Sequence, residues 1–130
     1  MIVLDTHVLI FDALQPGRLS RKARMAIEHG AQTDTLTCCD ISLWEIAMLI
    51  ARGRIDPGTD AVQFIEDVIR ARSLSVLPVT PRIAVLAQSE LFAHGDPADR
   101  IIAATAMDAG ARLVSADSRL RKLKRVEVVW

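Results

Sequence analysis

The chain has 130 residues, 51% of them hydrophobic and 25% charged, with sixteen Lys and Arg balancing sixteen Asp and Glu. That length fits one domain, residues 1–130, with one real core, and the composition excludes a disordered, collagenous or fibrous protein. The balanced charge points to no partner, and two adjacent cysteines, Cys38 and Cys39, exclude a disulfide-stapled secreted scaffold and suit a reducing cytoplasm.

The opening Met1–Asp5 has no basic segment, and Asp5 and Asp12 interrupt its apolar run, so a signal peptide is not expected. No stretch reaches the ~18 uncharged apolar residues of a membrane span. Ile2, Val3 and Leu4 read as a buried strand closed by Asp5 and Thr6, followed by a short helix to about Leu14 and a turn over Gln15–Arg18. Ser20 caps a second helix with Ala23, Ala26 and Ile27 inward, ended by Gly30. Thr35–Cys39 is a second strand. The spacing of Leu43, Ile46, Ala47, Leu49 and Ile50 predicts a helix over 42–52. A turn at Asp56–Gly58 precedes a helix carrying Val62, Ile65, Val68 and Ile69 on one face. Ser75–Val79 is a third strand whose Pro78 argues for an edge. A helix follows Pro81 through Leu91, another runs from Pro97 to Met107, and Arg112–Ser115 and Val126–Val129 are the last two strands. Strands alternating with helices predict a parallel sheet covered on both faces, with ligands in the crevice beyond the carboxyl ends of the strands.

Acids stand at those strand ends and at the helix starts beside them. Asp5 ends the first strand, Glu45 lies early in the helix after the second, Asp96 and Asp99 straddle the start of the helix before the fourth, and Asp117 follows the fourth. Each alone has a capping explanation. Ser42 and Glu45 have the spacing of a capping box, Asp96-Pro97-Ala98-Asp99 that of an N-cap with Pro at N1, and Asp117 can cap the turn after it. Their joint placement at one crevice is harder to explain by capping. Two unit charges about 4 Å apart repel by about 4 kcal/mol at an effective dielectric of ~20, so converging carboxylates take up protons or bind a cation. His7, His29 and His94 are dispersed and the cysteines form no paired motif, which disfavours zinc; oxygen ligands suit Mg²⁺ or Mn²⁺.

At these residues the sequence resembles the PIN-domain ribonucleases, in particular the VapC-like toxins of prokaryotic toxin–antitoxin pairs. The matching pieces are Leu4–Leu9, Ser42–Ala47, Asp96–Ala103 and Leu113–Asp117, in family order across nearly the whole chain. The resemblance implies a five-stranded parallel sheet flanked by helices and endonucleolytic cleavage of RNA with one or two Mg²⁺ or Mn²⁺ ions. It carries the acidic site onto Asp5, Glu45, Asp99 and Asp117, makes Asp96 a helix cap or supporting acid, and makes Thr6 and Ser115 hydroxyls able to hold a water beside the metal. It also implies a cognate antitoxin that occludes the site. Two positions depart from the family's usual pattern: Ala98 stands where relatives often carry an aromatic residue, and Leu49 where many carry Lys.

Other residues surround the acids. Arg100 is expected to pair with a nearby carboxylate and orient it. Ser118–Arg125 holds five basic residues in eight, and Arg119, Arg121 and Lys122 are candidates for RNA phosphate contacts, set against a merely solvated face. Trp44 is expected in the core or an interface, and Met25, Met48 and Met107 in packing; His7 and His94 receive no catalytic role. The apolar helices near 42–52 and 60–71 leave surface that a homodimer or a bound antitoxin would cover. Competing readings are a catalytically silent PIN-fold module that binds RNA or a partner, and a receiver or aspartyl-phosphatase domain. The last would want a second Asp two residues after Asp5, where His7 stands.

Overall fold

In the computed structural model, which describes residues 1–92 and 95–130, the short apolar runs become five strands. These are β1 (Ile2–Leu4), β2 (Leu36–Cys39), β3 (Ser75–Leu77), β4 (Arg112–Val114) and β5 (Val128–Val129). They pair in the order β3-β2-β1-β4-β5, every pairing parallel. Val3 sits opposite Thr37 on one side and Leu113 on the other. The buried Thr37 hydroxyl donates to the Ile2 carbonyl at 2.9 Å, so a polar strand residue is satisfied within the sheet. As Pro78 predicts, β3 stops at Leu77 and is an edge.

The period of two along each strand divides the core between the sheet's faces. Ile2, Leu4, Leu36, Cys38 and Val114 face one side, against helices α1 (Thr6–Leu14), α2 (Arg21–Gln32), α3 (Ile41–Ala51) and α4 (Ala61–Ala71). Val3, Cys39 and Leu113 face the other, against α5 (Pro81–Leu86) and α6 (Pro97–Asp108). Helix α6 buries Ala98, Ala103, Ala104 and Ala106, small side chains that let its backbone approach the sheet. Among the described residues no helix is long and apolar enough to cross a membrane.

Several boundaries and faces differ from expectation. Gly30 does not end α2, which continues to Gln32. A Cβ there would meet Leu36 Cδ2 and lie 2.9 Å from Leu36 Cγ, so the glycine exists for close helix–sheet approach. Gly30→Ala is therefore expected to destabilise by about 1–3 kcal/mol through overpacking, measurable by urea denaturation. In α4 the inward residue is Phe64, with Val68, whereas Val62 is 67% exposed. Trp44 and Met25, each 59% exposed, lie outside the core. The helix expected through Leu91 stops at Leu86, and a single 3-10 turn covers Glu90–Phe92. His94 lies outside the described residues.

Candidate active site

The chain order reverses between β1 and β4, and the acids gather at the carboxyl ends of these two central strands. Asp5 follows β1 and caps α1. One carboxylate oxygen accepts the Thr6 N–H at 2.7 Å, and the other accepts the Ser115 hydroxyl at 2.6 Å. The Asp117 N–H in turn donates to the Ser115 oxygen at 3.1 Å, so Ser115 links the acid after β1 to the acid after β4. Thr6 is fully buried; its hydroxyl donates to Glu45 Oε1 and lies 2.9 Å from the Ser42 hydroxyl. Thr6 and Ser115 thus hold the Glu45 and Asp5 carboxylates in place.

The capping box whose spacing Ser42 and Glu45 have, the alternative to a place in the site, does not form. The residue at the α3 N-cap is Asp40, which makes no side-chain cap, and both Ser42 and Glu45 turn inward to Thr6. At α6 a cap does form: Asp96 accepts from the Ala98 and Asp99 N–H groups at 2.7 and 3.2 Å. It does more than cap, because carboxylate oxygens of Glu45, Asp96 and Asp99 lie within 4.8 Å of one another. Asp117 accepts the Arg119 N–H at 2.8 Å, closing the turn before the 3-10 segment Leu120–Lys122.

Among the described residues Arg100 does not form the expected carboxylate pair. Its guanidinium donates to the Gly95 carbonyl at 3.4 Å through two nitrogens, tying the segment before α6 to the helix. Arg119 takes the position instead, 3.3 Å from Asp117 and 3.7 Å from Asp99. Its reach across to a second acid had no trace in the sequence, where it is one of several bases in a charge run. A cleft of about 400 Å³ opens here, lined by Asp99, Arg100, Asp117, Arg119 and Lys122.

The electrostatics follow from burial and crowding. Burial pushes the Asp5 and Glu45 carboxyls above the ordinary carboxylate range, against the hydrogen bonds from Ser115 and Thr6 that favour their ionised forms. Asp99 is pushed up to about 7, by burial first and then by the charges of Asp5, Asp96, Glu45 and Asp117. Burial also acts to raise Asp117, but the bonds and charge of Arg119 outweigh it and hold this carboxyl low. A crowded set of oxygen donors with this much negative charge fits a hard divalent cation of the Mg²⁺ or Mn²⁺ kind.

A pH dependence results. Because the folded-state pKa of Asp99 lies near 7, above the ordinary 3.8, the folded chain binds more protons than the unfolded chain between those values. In chelator, stability should fall as pH rises from about 4 to about 7 and stay low above it, with Asp5 and Glu45 acting in the same direction. A melting temperature about 5 °C or more higher at pH 5 than at pH 8 is expected. A flat or rising profile contradicts the crowding.

The family model of the PIN domain matches residues 2–126. The chain is 36% identical to Ribonuclease VapC22 of Mycobacterium tuberculosis (strain ATCC 25618 / H37Rv) over 132 residues, covering 99% of this chain and 98% of that one. Among solved structures it is similar to VapBC2 from Rickettsia felis bound to a DNA fragment from their promoter. The TM-score there is 0.74 at 17% identity, over 98% of this chain and 97% of the other. It is similar also to a toxin–antitoxin complex from Klebsiella pneumoniae, with a TM-score of 0.61 at 18% identity, over 94% and 91% of the two chains. At such identities the solved structures speak for the fold, and they agree with the parallel sheet and flanking helices described above. With the family model matched from β1 to the threshold of β5 and a relative aligned end to end, the chain belongs to the PIN-domain family.

Proposed function

We propose that the protein is a metal-dependent endoribonuclease, the toxin of a toxin–antitoxin pair, with residues 1–130 working as one domain in the cytoplasm. What supports the reading is the crowding of carboxylates from separate segments: Glu45, Asp96 and Asp99 bring oxygens within 4.8 Å of one another, and burial first, then the charges of Asp5, Asp96, Glu45 and Asp117, push Asp99 up to about 7. Asp5, Glu45, Asp99 and Asp117 would hold one or two Mg²⁺ or Mn²⁺ ions. When bound, such ions activate water for attack on a phosphodiester and stabilise the charge of the leaving oxygen. Thr6 and Ser115 orient the Glu45 and Asp5 carboxylates, Asp96 caps α6 so that Asp99 faces the cluster, and Arg100 anchors the Gly95 segment. The test is incubation of RNA with the purified protein and Mg²⁺ or Mn²⁺; intact RNA with both ions overturns the reading.

In this reading Arg119, Arg121 and Lys122 contact RNA phosphates beside the acids. Arg119 and Lys122 line the cleft. Neutralising all three should weaken RNA binding for every sequence alike and reduce the slope of log affinity against log salt by about 0.7 for each cation that meets a phosphate. An unchanged slope returns the segment to a solvated face. A partner protein is implied as well, since the similar Klebsiella pneumoniae structure is a toxin–antitoxin complex. We infer that a cognate antitoxin binds this chain and that the protein dimerises, covering exposed Trp44 and Val62.

A further inference from the structure

Beyond the acidic cluster, α1, the turn at Pro16–Arg18 and the segment after α3 enclose a groove of about 580 Å³, a size that holds a small organic ligand. His7, Phe11, Arg18, Leu49, Arg54 and Asp56 line it. The groove begins where the acids end. His7 follows Thr6, the residue whose hydroxyl donates to Glu45. Leu49 lies one helical turn along α3 from Glu45.

The lining has the makings of a base platform. The Arg18 guanidinium lies 4.2 Å from the centroid of the Phe11 ring and donates to Gln15 Oε1 at 3.3 Å, which holds an exposed, planar cation in place. His7 stands with its ring centroid 6.3 Å from that of Phe11, tilted by 56°. Among the described residues neither Arg18 nor Arg54 makes an ion pair, so both are free to meet phosphate. The one acid in the lining, Asp56, is engaged by the Gly58 N–H at 2.9 Å. Cations outnumber acids in the groove, and guanidinium and imidazole planes accept stacked bases.

We propose that this groove is a nucleotide subsite, taking one nucleotide of single-stranded RNA next to the cleaved phosphate, its base against Arg18 and His7 and its phosphate against Arg54. The subsite's part in cleavage rests on the ribonuclease reading; its binding of RNA does not. Two guanidinium groups without carboxylate partners favour a polyanion over an apolar peptide as the occupant.

The experiment measures binding of a short fluorescein-labelled single-stranded RNA in EDTA, where no cleavage intervenes. Arg18→Ala and Arg54→Ala should each weaken binding roughly tenfold, while Arg70→Ala, on the exposed face of α4, should match wild type. Arg18→Lys keeps the charge without the plane on which the base stacks, so it should lose most of the affinity that Arg18→Ala loses. In Mg²⁺, cut-site mapping should then show relaxed preference at one nucleotide beside the cut for Arg18→Lys and Arg18→Ala. Wild-type affinity in a folded Arg18→Ala/Arg54→Ala double variant overturns the proposal and leaves the groove to a peptide. So does a wild type that binds no RNA. Groove-dependent binding without any cleavage in Mg²⁺ or Mn²⁺ would support the subsite and sink the nuclease instead.

Discussion

Asp5→Asn is expected to reduce RNA cleavage by at least about 100-fold while leaving the fold intact. Losing even a group that supports a metal ligand typically costs about 10–100-fold, and in the proposed site Asp5 would be a ligand that loses its charge. The fold survives because Asn is isosteric. Its carbonyl oxygen still accepts the Thr6 N–H, and its amide can face the Ser115 oxygen. Removing a buried carboxylate from a crowd of acids should also leave the melting temperature in chelator unchanged or raised. Asp99→Asn should behave alike. Asp96→Asn should be milder, since Asn still caps α6 through the Ala98 and Asp99 N–H groups. Cleavage assays paired with thermal melts of the three variants decide this. An Asp96→Asn variant more impaired than Asp99→Asn would reverse the assignment of roles at the start of α6.

Chelation is expected to have an effect as large. EDTA should abolish cleavage, and Mn²⁺ added in excess should restore it. The same titration has a reading independent of turnover. An ion that binds only the folded chain stabilises it by RT ln(1 + [L]/Kd), about 2.7 kcal/mol at one hundred times Kd. The melting temperature should therefore rise with Mn²⁺, and the rise should shrink in Asp99→Asn. It should also be smaller at pH 5 than at pH 8, because protons compete for Asp99, whose pKa is about 7. Full cleavage in excess chelator, or a melting temperature indifferent to Mn²⁺ at every pH, counts against the metal.

The acids could be found from sequence because each ends a strand or starts a helix, and the βα alternation says that such positions converge. What each acid does locally was harder to see. Ser42 and Glu45 have the spacing of a capping box, and only the approach of Thr6 from another element draws both inward. Gly30 reads as a helix stop because a terminating glycine and a close-packed one are the same letter; the difference lies in Leu36. Along α4, Val62 and Phe64 are both apolar, and the direction of the buried face depends on what α3 presents. Arg100 directly follows Asp99 in the chain, yet the Gly95 carbonyl takes its guanidinium. The groove at His7, Phe11 and Arg18 was invisible because its parts come from a helix, a turn and a distant segment, with no spacing rule among them.

Ser115 joins Asp5 to Asp117, and its bond to Asp5 bridges 110 positions of sequence. The central strand β1 is synthesised long before its neighbour β4. When β1, β2 and β3 have all been synthesised, Asp5 therefore still lacks its Ser115 donor and Asp117 is not yet in place. For the ribonuclease proposed above, synthesis would take place amid the very polymer it attacks. Drawing the proposed site from segments so far apart in the sequence would delay activity until the ribosome has delivered β4 and the acid behind it.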